Sequence, residues 1–401
     1  MKIMTAMYTL KKGGSYERFL MMVEAFLEKK CEVHCLSLTP VRIKNPNYRN
    51  HIAGLPFGIR NDWIAKFIVV LLFPLHSFFI GWREKINLFI AFGSLYAFLM
   101  AIPKWVLKKP MVTLIRGDST FGLVIQNSPR YILRLNKIME YLGLIFSDRI
   151  ITNNTAVQKQ IHRIMRSRKK VEIELLFNSI PPIPDFKPED SCQIRAQFGI
   201  PMEAKVLVTA GILNRGKNIE MLIRCLPEIG MKNLFLFIVG DGSTKGDFHY
   251  KKYLRELTET IGLTNRVIFT GWLNKEELWK IFRGSDLFVL TSKSEGMPNI
   301  LLEALGCDIP CFGSDIPGIR DILSYEMLMF PLFEGETLTR KIRLFLIDPS
   351  FSDKISQLCH ERKKKFFFDW KKAAFDSITK MPTIVIEKLR KGLDEGDPLC
   401  C

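Results

Sequence analysis

At 401 residues the chain is long for one ordinary core and comfortable for two. Apolar content of 47% with 25% charged residues excludes a disordered chain, and nine scattered cysteines without a Cys-x-x-Cys pair exclude a readable disulfide framework or zinc site. The balance of 58 Lys+Arg against 41 Asp+Glu leaves +17, which suits an anionic partner: a nucleotide diphosphate, an acidic lipid surface or nucleic acid.

The opening run Met1–Ala6 is too short and too soon followed by Lys11-Lys12 to read as a secretory leader. With the cysteine usage, it points to a cytoplasmic chain in a reducing compartment. Lys2–Met7 reads as a strand, Ser15–Lys30 as a helix with Phe19, Val23, Phe26 and Leu27 on one face, and Cys31–Leu38 as a second strand. Phe67–Ile80 is apolar but carries Pro74 and is shorter than the ~20 residues a membrane span needs. Asn87–Phe92 reads as a buried strand, Gly93-Ser94 as a turn and Leu95 onward as a helix. Pro110–Ile115, Asp148–Thr152 and Val171–Phe177 are further strands, the second preceded by a helix over Tyr131–Phe146. Such alternation predicts a mostly parallel sheet covered on both faces.

Three prolines in Pro181-Pro182-Ile183-Pro184 break the pattern and mark a linker. The alternation then restarts with strands at Lys205–Thr209, Leu234–Val239, Val267–Thr270 and Leu287–Leu290, and a helix at Asn218–Leu226. This predicts a second doubly wound domain, whose ligands bind beyond the carboxyl ends of the strands. From Lys341 the chain reads as helical and basic; Glu361–Lys372 is most simply a solvated helix face. The Cys400-Cys401 pair reads as unmodified rather than as a prenylation signal.

The strongest chemical signal is Ser294-Glu295-Gly296-Met297-Pro298-Asn299, running on into Glu303, directly after the strand Leu287–Leu290. Pro298 suits the first turn of a helix, whose N–H groups face the strand's carboxyl end and attract an anion. Glu303 is four residues after Asn299 and shares its helix face, where a carboxylate can accept two hydrogen bonds from a vicinal diol. Glu295 stands in the loop itself. The plain structural reading, two solvated helix-end charges, does not account for the agreement of glycine, proline and buried strand.

This segment resembles the Glu-x7-Glu motif of the retaining glycosyltransferases of family 4 (group 1), which have the GT-B fold. Gly240-Asp241-Gly242, Phe269-Thr270-Gly271-Trp272 and Gly313-Ser314-Asp315-Ile316-Pro317-Gly318 fall in that family's order. So do Gly13-Gly14 after the first strand, Asn178-Ser179 before the linker and Phe368-Asp369-Trp370 near the end.

The resemblance implies an α/β chain of GT-B architecture: two doubly wound Rossmann-like domains facing across a cleft, with a C-terminal helix crossing back to the first. The domains expected are 1–180 (acceptor side), a linker 181–190, 191–345 (nucleotide sugar) and a helical tail 346–401 packing toward the first domain. It implies transfer of a sugar from a nucleotide-diphosphate sugar to a hydroxyl of a glycan or lipid-linked acceptor, with retention, as in cell-surface polysaccharide biosynthesis. Glu295, Lys217 and Arg215 would be catalytic. Gly211, Lys217, Gly242, Trp272, Glu295, Gly296, Met297, Pro298, Asn299 and Glu303 would bind the donor, and Gly13, Gly14 and Arg116 would lie on the acceptor or phosphate side. No cofactor and no metal are implied, since the sequence contains no Asp-x-Asp. The partners expected are the nucleotide sugar, the acceptor and, at the periphery, an anionic membrane on its inner face; nucleic acid is not among them.

The chain departs from the family at two places. Ile212 stands where the family has an arginine paired with the Lys217 position, and Arg215 is the candidate substitute. Ile115-Arg116-Gly117-Asp118 replaces a histidine motif; Arg116 either contacts phosphate or acceptor, or forms a structural pair with Asp118. Two other readings remain: a binding or scaffold protein with this fold and weakened catalysis, favoured by Ile212, and another GT-B sugar enzyme such as a phosphorylase or epimerase.

Overall fold

The computed structural model describes residues 1–7, 14–53, 62–117, 124, 129–165 and 171–380, the side chains of 62–71 and 188–189 excepted. It divides into two compact units, Met1–Phe177 with the segment from Asp369, and Asn178–Phe368.

The first unit runs β1 (Lys2–Met7), α1 (Gly14–Glu28), β2 (Glu32–Ser37), β3 (Tyr48–Ile52), α2 (Asp62–Arg83), β4 (Leu88–Ala91), α3 (Ser94–Val106), β5 (Met111–Ile115), α4 (Arg130–Ile145), β6 (Arg149–Thr152), α5 (Thr155–Ile164) and β7 (Glu172–Leu175). Seven parallel strands lie in the order β3-β2-β1-β4-β5-β6-β7. Ile3, Met4, Val33, Phe89, Ile90 and Val112 are fully buried, as expected of strands covered on both faces. Met4, Ala6, Phe73, Phe89, Ala97 and Met100 belong to one core cluster that joins the sheet to α2 and α3. Asn154 caps α5 by accepting the N–H of Ala156 and Val157 at 2.8 and 3.0 Å.

The second unit runs α6 (Pro188–Gln197), β8 (Lys205–Ala210), a 3-10 turn Arg215–Lys217, α7 (Ile219–Ile229), β9 (Leu234–Val239), α8 (Lys245–Thr260), β10 (Val267–Gly271), α9 (Lys275–Arg283), β11 (Leu287–Leu290), α10 (Asn299–Gly306), β12 (Cys311–Ser314), α11 (Pro317–Leu323), β13 (Met329–Phe330), α12 (Gly335–Ile347) and α13 (Pro349–Lys365). Its six parallel strands are ordered β10-β9-β8-β11-β12-β13, so the direction of winding reverses between β8 and β11. That reversal opens a crevice at the carboxyl ends of the two strands.

The boundaries differ from the sequence expectation. The unit changes at 177/178, before the prolines, because Asn178 and Ser179 are buried within the second unit and Ile180 N–H donates to Phe366 O at 2.8 Å. Residues 346–368 also stay with the second unit. Arg362 Nε on α13 donates to Ile322 O at 2.6 Å, and Cys359 Sγ accepts the N–H of Cys311 at 3.3 Å. Among the described residues it is α14 (Trp370–Thr379) that returns to the first unit. There Phe375 packs on Phe26 with centroids 5.0 Å apart, Arg18 lies 5.3 Å over the Trp370 ring, and Ser377 Oγ donates to Glu174 Oε1 at 2.8 Å.

At the start of β2 and in β3, His34 and His51 bring Nδ1 and Nε2 within 2.9 Å, and His34 Nε2 lies 3.2 Å from Glu32 Oε1. Burial pushes the His34 imidazole down from its ordinary value; Glu32 and Glu84 oppose this without offsetting it, and Lys2 adds to it. Burial likewise lowers His51, with His34, Arg83 and Arg49 adding to it and Glu84 opposing. Above the ordinary value, about 6.5, both rings are neutral folded and unfolded. As pH falls below it the unfolded chain takes up protons that the folded one resists, so stability is lost. The melting temperature should therefore fall between pH 7.5 and 5.5, and His51→Gln should flatten that slope. A slope unchanged by this substitution would remove the pair from the account.

Candidate active site

Two loops at the β8/β11 reversal are tied to one another. After β8, Asn214 Oδ1 accepts the Gly216 N–H at 2.9 Å, which closes the 3-10 turn, and Asn218 follows in the left-handed region at φ 52°. From the loop after β11, Lys293 N–H donates to Gly216 O at 2.8 Å and Thr291 Oγ1 donates to Lys217 O at 2.8 Å. The result is that Lys217 Nζ reaches Glu295 Oε1 at 2.5 Å, with both side chains largely buried. Ser292 Oγ donates to the same oxygen at 2.8 Å. A lysine at a helix start, opposed by the helix dipole, is thus held by a carboxylate rather than by solvent.

Two glycines permit this arrangement. Gly211 has φ +139°, and the Lys217 stem passes where its side chain would begin, with Cε 3.5 Å from an ideal Cβ. Gly318, at the start of α11, lies so close beneath the Glu295 loop that a Cβ there would stand 2.2 Å from Gly296 O and 2.5 Å from Glu295 O.

Glu303 on α10 is 6% exposed and accepts the Trp279 indole N–H at 3.0 Å through Oε2. Trp279, on α9, is a residue the sequence reading missed; nothing in its spacing marks it as more than core. Asn299 and Glu303 share a helix face, and Asn299 reaches toward the segment before the prolines. Asn299 Oδ1 accepts from Asn178 Nδ2 at 2.7 Å, and Asn178 Nδ2 also reaches Met297 O at 3.3 Å. Pro298 precedes the helix as its N-cap, at φ −71° and ψ 111°, instead of occupying the first turn; α10 begins at Asn299.

Gly242 follows β9, and its N–H donates to Asp241 Oδ1 at 2.7 Å. Burial opposes ionisation of Asp241, but the Lys251 ammonium and the Gly242 N–H outweigh it and hold the carboxyl below its usual value. Trp272, just beyond β10, is exposed. Arg215 is exposed on the 3-10 turn.

In the first unit Gly14 opens α1, and Gly13 and Asp118 lie outside the described residues. Arg116 follows β5, with its guanidinium 5.5 Å over the Phe92 ring. Burial, with the charge of Arg18 adding to it, pushes Arg116 down to about 9, still a cation at neutral pH. Among the described residues, the His/Cys/carboxylate group with ligand spacing is Glu32, His34 and Glu84, within 4.8 Å of one another at the amino end of β2. Lys2 pairs with Glu32 at 3.1 Å and Arg83 with Glu84 at 2.8 Å, so their charge is already answered within the chain.

The stretch 190–364 matches the family model described as "Glycosyl transferases group 1". That stretch contains every residue expected from the sequence to lie on the donor side. The chain is 27% identical over 193 residues to an uncharacterized glycosyltransferase of Methanocaldococcus jannaschii, covering 47% of this chain and 48% of that one. It is 27% identical over 227 residues to the lipopolysaccharide core biosynthesis glycosyltransferase LpsD of Rhizobium meliloti, covering 56% and 61%. The chain thus spans about half to three-fifths of the length of these relatives. Among solved structures, Anabaena HepE in complex with UDP and glucose aligns with a TM-score of 0.73 at 17% identity, over 98% of this chain and 100% of that one. The chain has the GT-B fold: two Rossmann-like units, with parallel sheets of seven and six strands.

Proposed function

We propose that the chain is a retaining hexosyltransferase-type enzyme of glycosyltransferase family 4. It moves a sugar from a nucleotide-diphosphate sugar to a hydroxyl of a glycan or lipid-linked acceptor, without a metal or cofactor. The observation that carries this reading is the Lys217–Glu295 pair at the β8/β11 reversal, beside the start of α10. A donor diphosphate entering there competes with Glu295 for the Lys217 ammonium and meets the positive end of the helix. Glu295, released, faces the donor sugar, and Glu303, its orientation set by Trp279, takes the ribose diol.

In this mechanism the bond from the anomeric carbon to the β-phosphate oxygen breaks. The acceptor oxygen bonds to that carbon on the same face, and its proton passes to the departing phosphate oxygen. The chain's own part is to position the reactants and to stabilise leaving-group charge through Lys217, Arg215 and the helix start. On the acceptor side Gly13, Gly14 and Arg116 are the candidate contacts, and a half-buried cation such as Arg116 favours an acceptor bearing phosphate or carboxylate. LpsD is named for lipopolysaccharide core biosynthesis, which supports a place in cell-surface polysaccharide assembly, at the face of an anionic membrane.

The test is transfer from a panel of nucleotide sugars in excess EDTA. Turnover should survive the chelator; complete loss, restored by manganese or magnesium, would overturn the metal-free donor site. Ile212, in place of the arginine that the family resemblance implies, favours a second reading as a binding protein with weakened catalysis. Nucleoside-diphosphate binding without donor hydrolysis or transfer on any of the panel would establish that reading instead.

A further inference from the structure

Three helices of the first unit form one layer. The connections β3 to β4, β4 to β5 and β5 to β6 all advance in the same direction across the sheet. Right-handed crossovers therefore place α2, α3 and α4 on the same face. Their inner sides supply Phe73, Ile80, Ala97, Met100 and Leu144 to the interior.

The outer sides are not the polar surface such helices usually present. Phe79 and Trp82 on α2 are 61% and 67% exposed, Ile102 and Trp105 on α3 are 64% and 70% exposed, and Tyr131 and Ile138 on α4 are 68% and 55% exposed. Within each helix these positions recur at helical spacing, so each forms a ridge rather than a scatter. Exposed apolar side chains gathered on neighbouring helices, rather than scattered singly, mark an interaction surface.

Basic residues outnumber acidic ones around the ridges, where Glu140 on α4 is half-buried. Lys85, Lys108, Arg130, Arg134 and Lys137 are exposed on or beside the same helices. Of the nearby acids, Glu84 is paired with Arg83 at 2.8 Å and Asp148 with Lys104 at 3.0 Å. A second copy of this chain would bring like charge against like. An anionic bilayer offers the opposite charge and an apolar boundary, and tryptophan and tyrosine prefer that boundary. No helix among the described residues is long and apolar enough to cross a membrane.

We propose that the outer face of α2, α3 and α4 is a docking surface for an anionic lipid bilayer. The helices lie along the surface, Trp82 and Trp105 sit at headgroup depth, and the lysines and arginines meet lipid phosphate. This deepens the membrane contact proposed above and rests on it, while making no use of the donor site.

Flotation with vesicles of equal parts phosphatidylglycerol and phosphatidylcholine tests it. The wild-type chain should float with these and not with phosphatidylcholine alone, and binding should fall at 1 M salt, where the screening length is about 3 Å. Trp82→Ser with Trp105→Ser should weaken binding about tenfold or more, and Arg134→Glu with Lys137→Glu should weaken it at low salt. Both pairs are exposed, so the melting temperature and the shift produced by nucleoside diphosphate should be kept. Trp82→Phe with Trp105→Phe should still float but lose most of the tryptophan quenching by brominated lipid.

Absence of wild-type flotation, or equal flotation of the Trp82→Ser/Trp105→Ser chain, would overturn the proposal. So would a wild-type dimer in solution that the same substitutions render monomeric, which would assign the face to a second copy. Loss of nucleoside-diphosphate binding in the wild type would instead count against the donor reading and leave the flotation result standing.

Discussion

Lys217→Ala should lower turnover by roughly a hundredfold or more, and Arg215→Ala should lower it about as severely. A departing diphosphate carries at least two negative charges, and removing one preorganised donor to such charge typically costs about 3 kcal/mol of transition-state stabilisation. Lys217 is preorganised on both sides: its backbone is held by Thr291, and its ammonium is aimed by Glu295. Ile212 supplies no second cation, and Arg215 is the residue in the same loop able to do so, two positions before Lys217. Its planar fork suits phosphate oxygens, so Arg215→Lys should recover only part of the loss. Steady-state kinetics on the three variants decide the matter. Near-wild-type turnover in Arg215→Ala, with loss in Lys217→Ala, would leave one cation and the helix start as the whole clamp.

Glu303→Gln should weaken nucleoside-diphosphate binding by about tenfold to a hundredfold, because hydrogen bonds to a charged group are worth ~1.5–3 kcal/mol. Glutamine is the informative substitution. Its amide oxygen can still accept the Trp279 indole N–H, so the helix pair survives while the carboxylate charge is lost. Glu303→Ala would also orphan that buried N–H, at a stability cost of about 1–3 kcal/mol that confuses the reading. In a thermal-shift titration, wild type at a hundred times its dissociation constant gains about 2.7 kcal/mol, and the glutamine variant at the same concentration should gain far less. An equal shift in both would remove Glu303 from the ribose.

What was legible in the sequence follows how each element earns its stability. Strands buried on both faces read directly: Leu234–Val239 and Leu287–Leu290 have the bounds their apolar runs suggest. Tyr48–Ile52 was missed because it lies at the edge of its sheet, so its residues Tyr-Arg-Asn-His-Ile alternate without an apolar run. Cys311–Ser314 was missed because it is four residues long and contains Gly313, and β13 has only two residues.

In the site, Glu295, Lys217 and Glu303 were legible as a pattern, but their partners were not. That Lys217 meets Glu295, or that Glu303 meets Trp279, depends on which loops a parallel sheet brings side by side, 78 and 24 residues apart in the chain. Prolines misled the domain boundary. They forbid regular structure at 181–184 but do not forbid packing, and Ile180 and Ile183 lie against Gly306, where an added Cβ would come within 2.6 and 2.4 Å of them.

The first unit, made from both ends of the described chain, has a consequence for how the protein is born. A ribosome releases β1 to β7 first, yet the helix that covers Phe26 and accepts the stacking of Arg18 emerges roughly two hundred residues later. At about 5–20 residues per second the nascent sheet waits some 10–40 s for that helix. The second unit, continuous in sequence, can be complete before the first. Synthesis order and maturation order are thus reversed, and a message truncated before Asp369 would yield a finished second unit tethered to an unsealed first one.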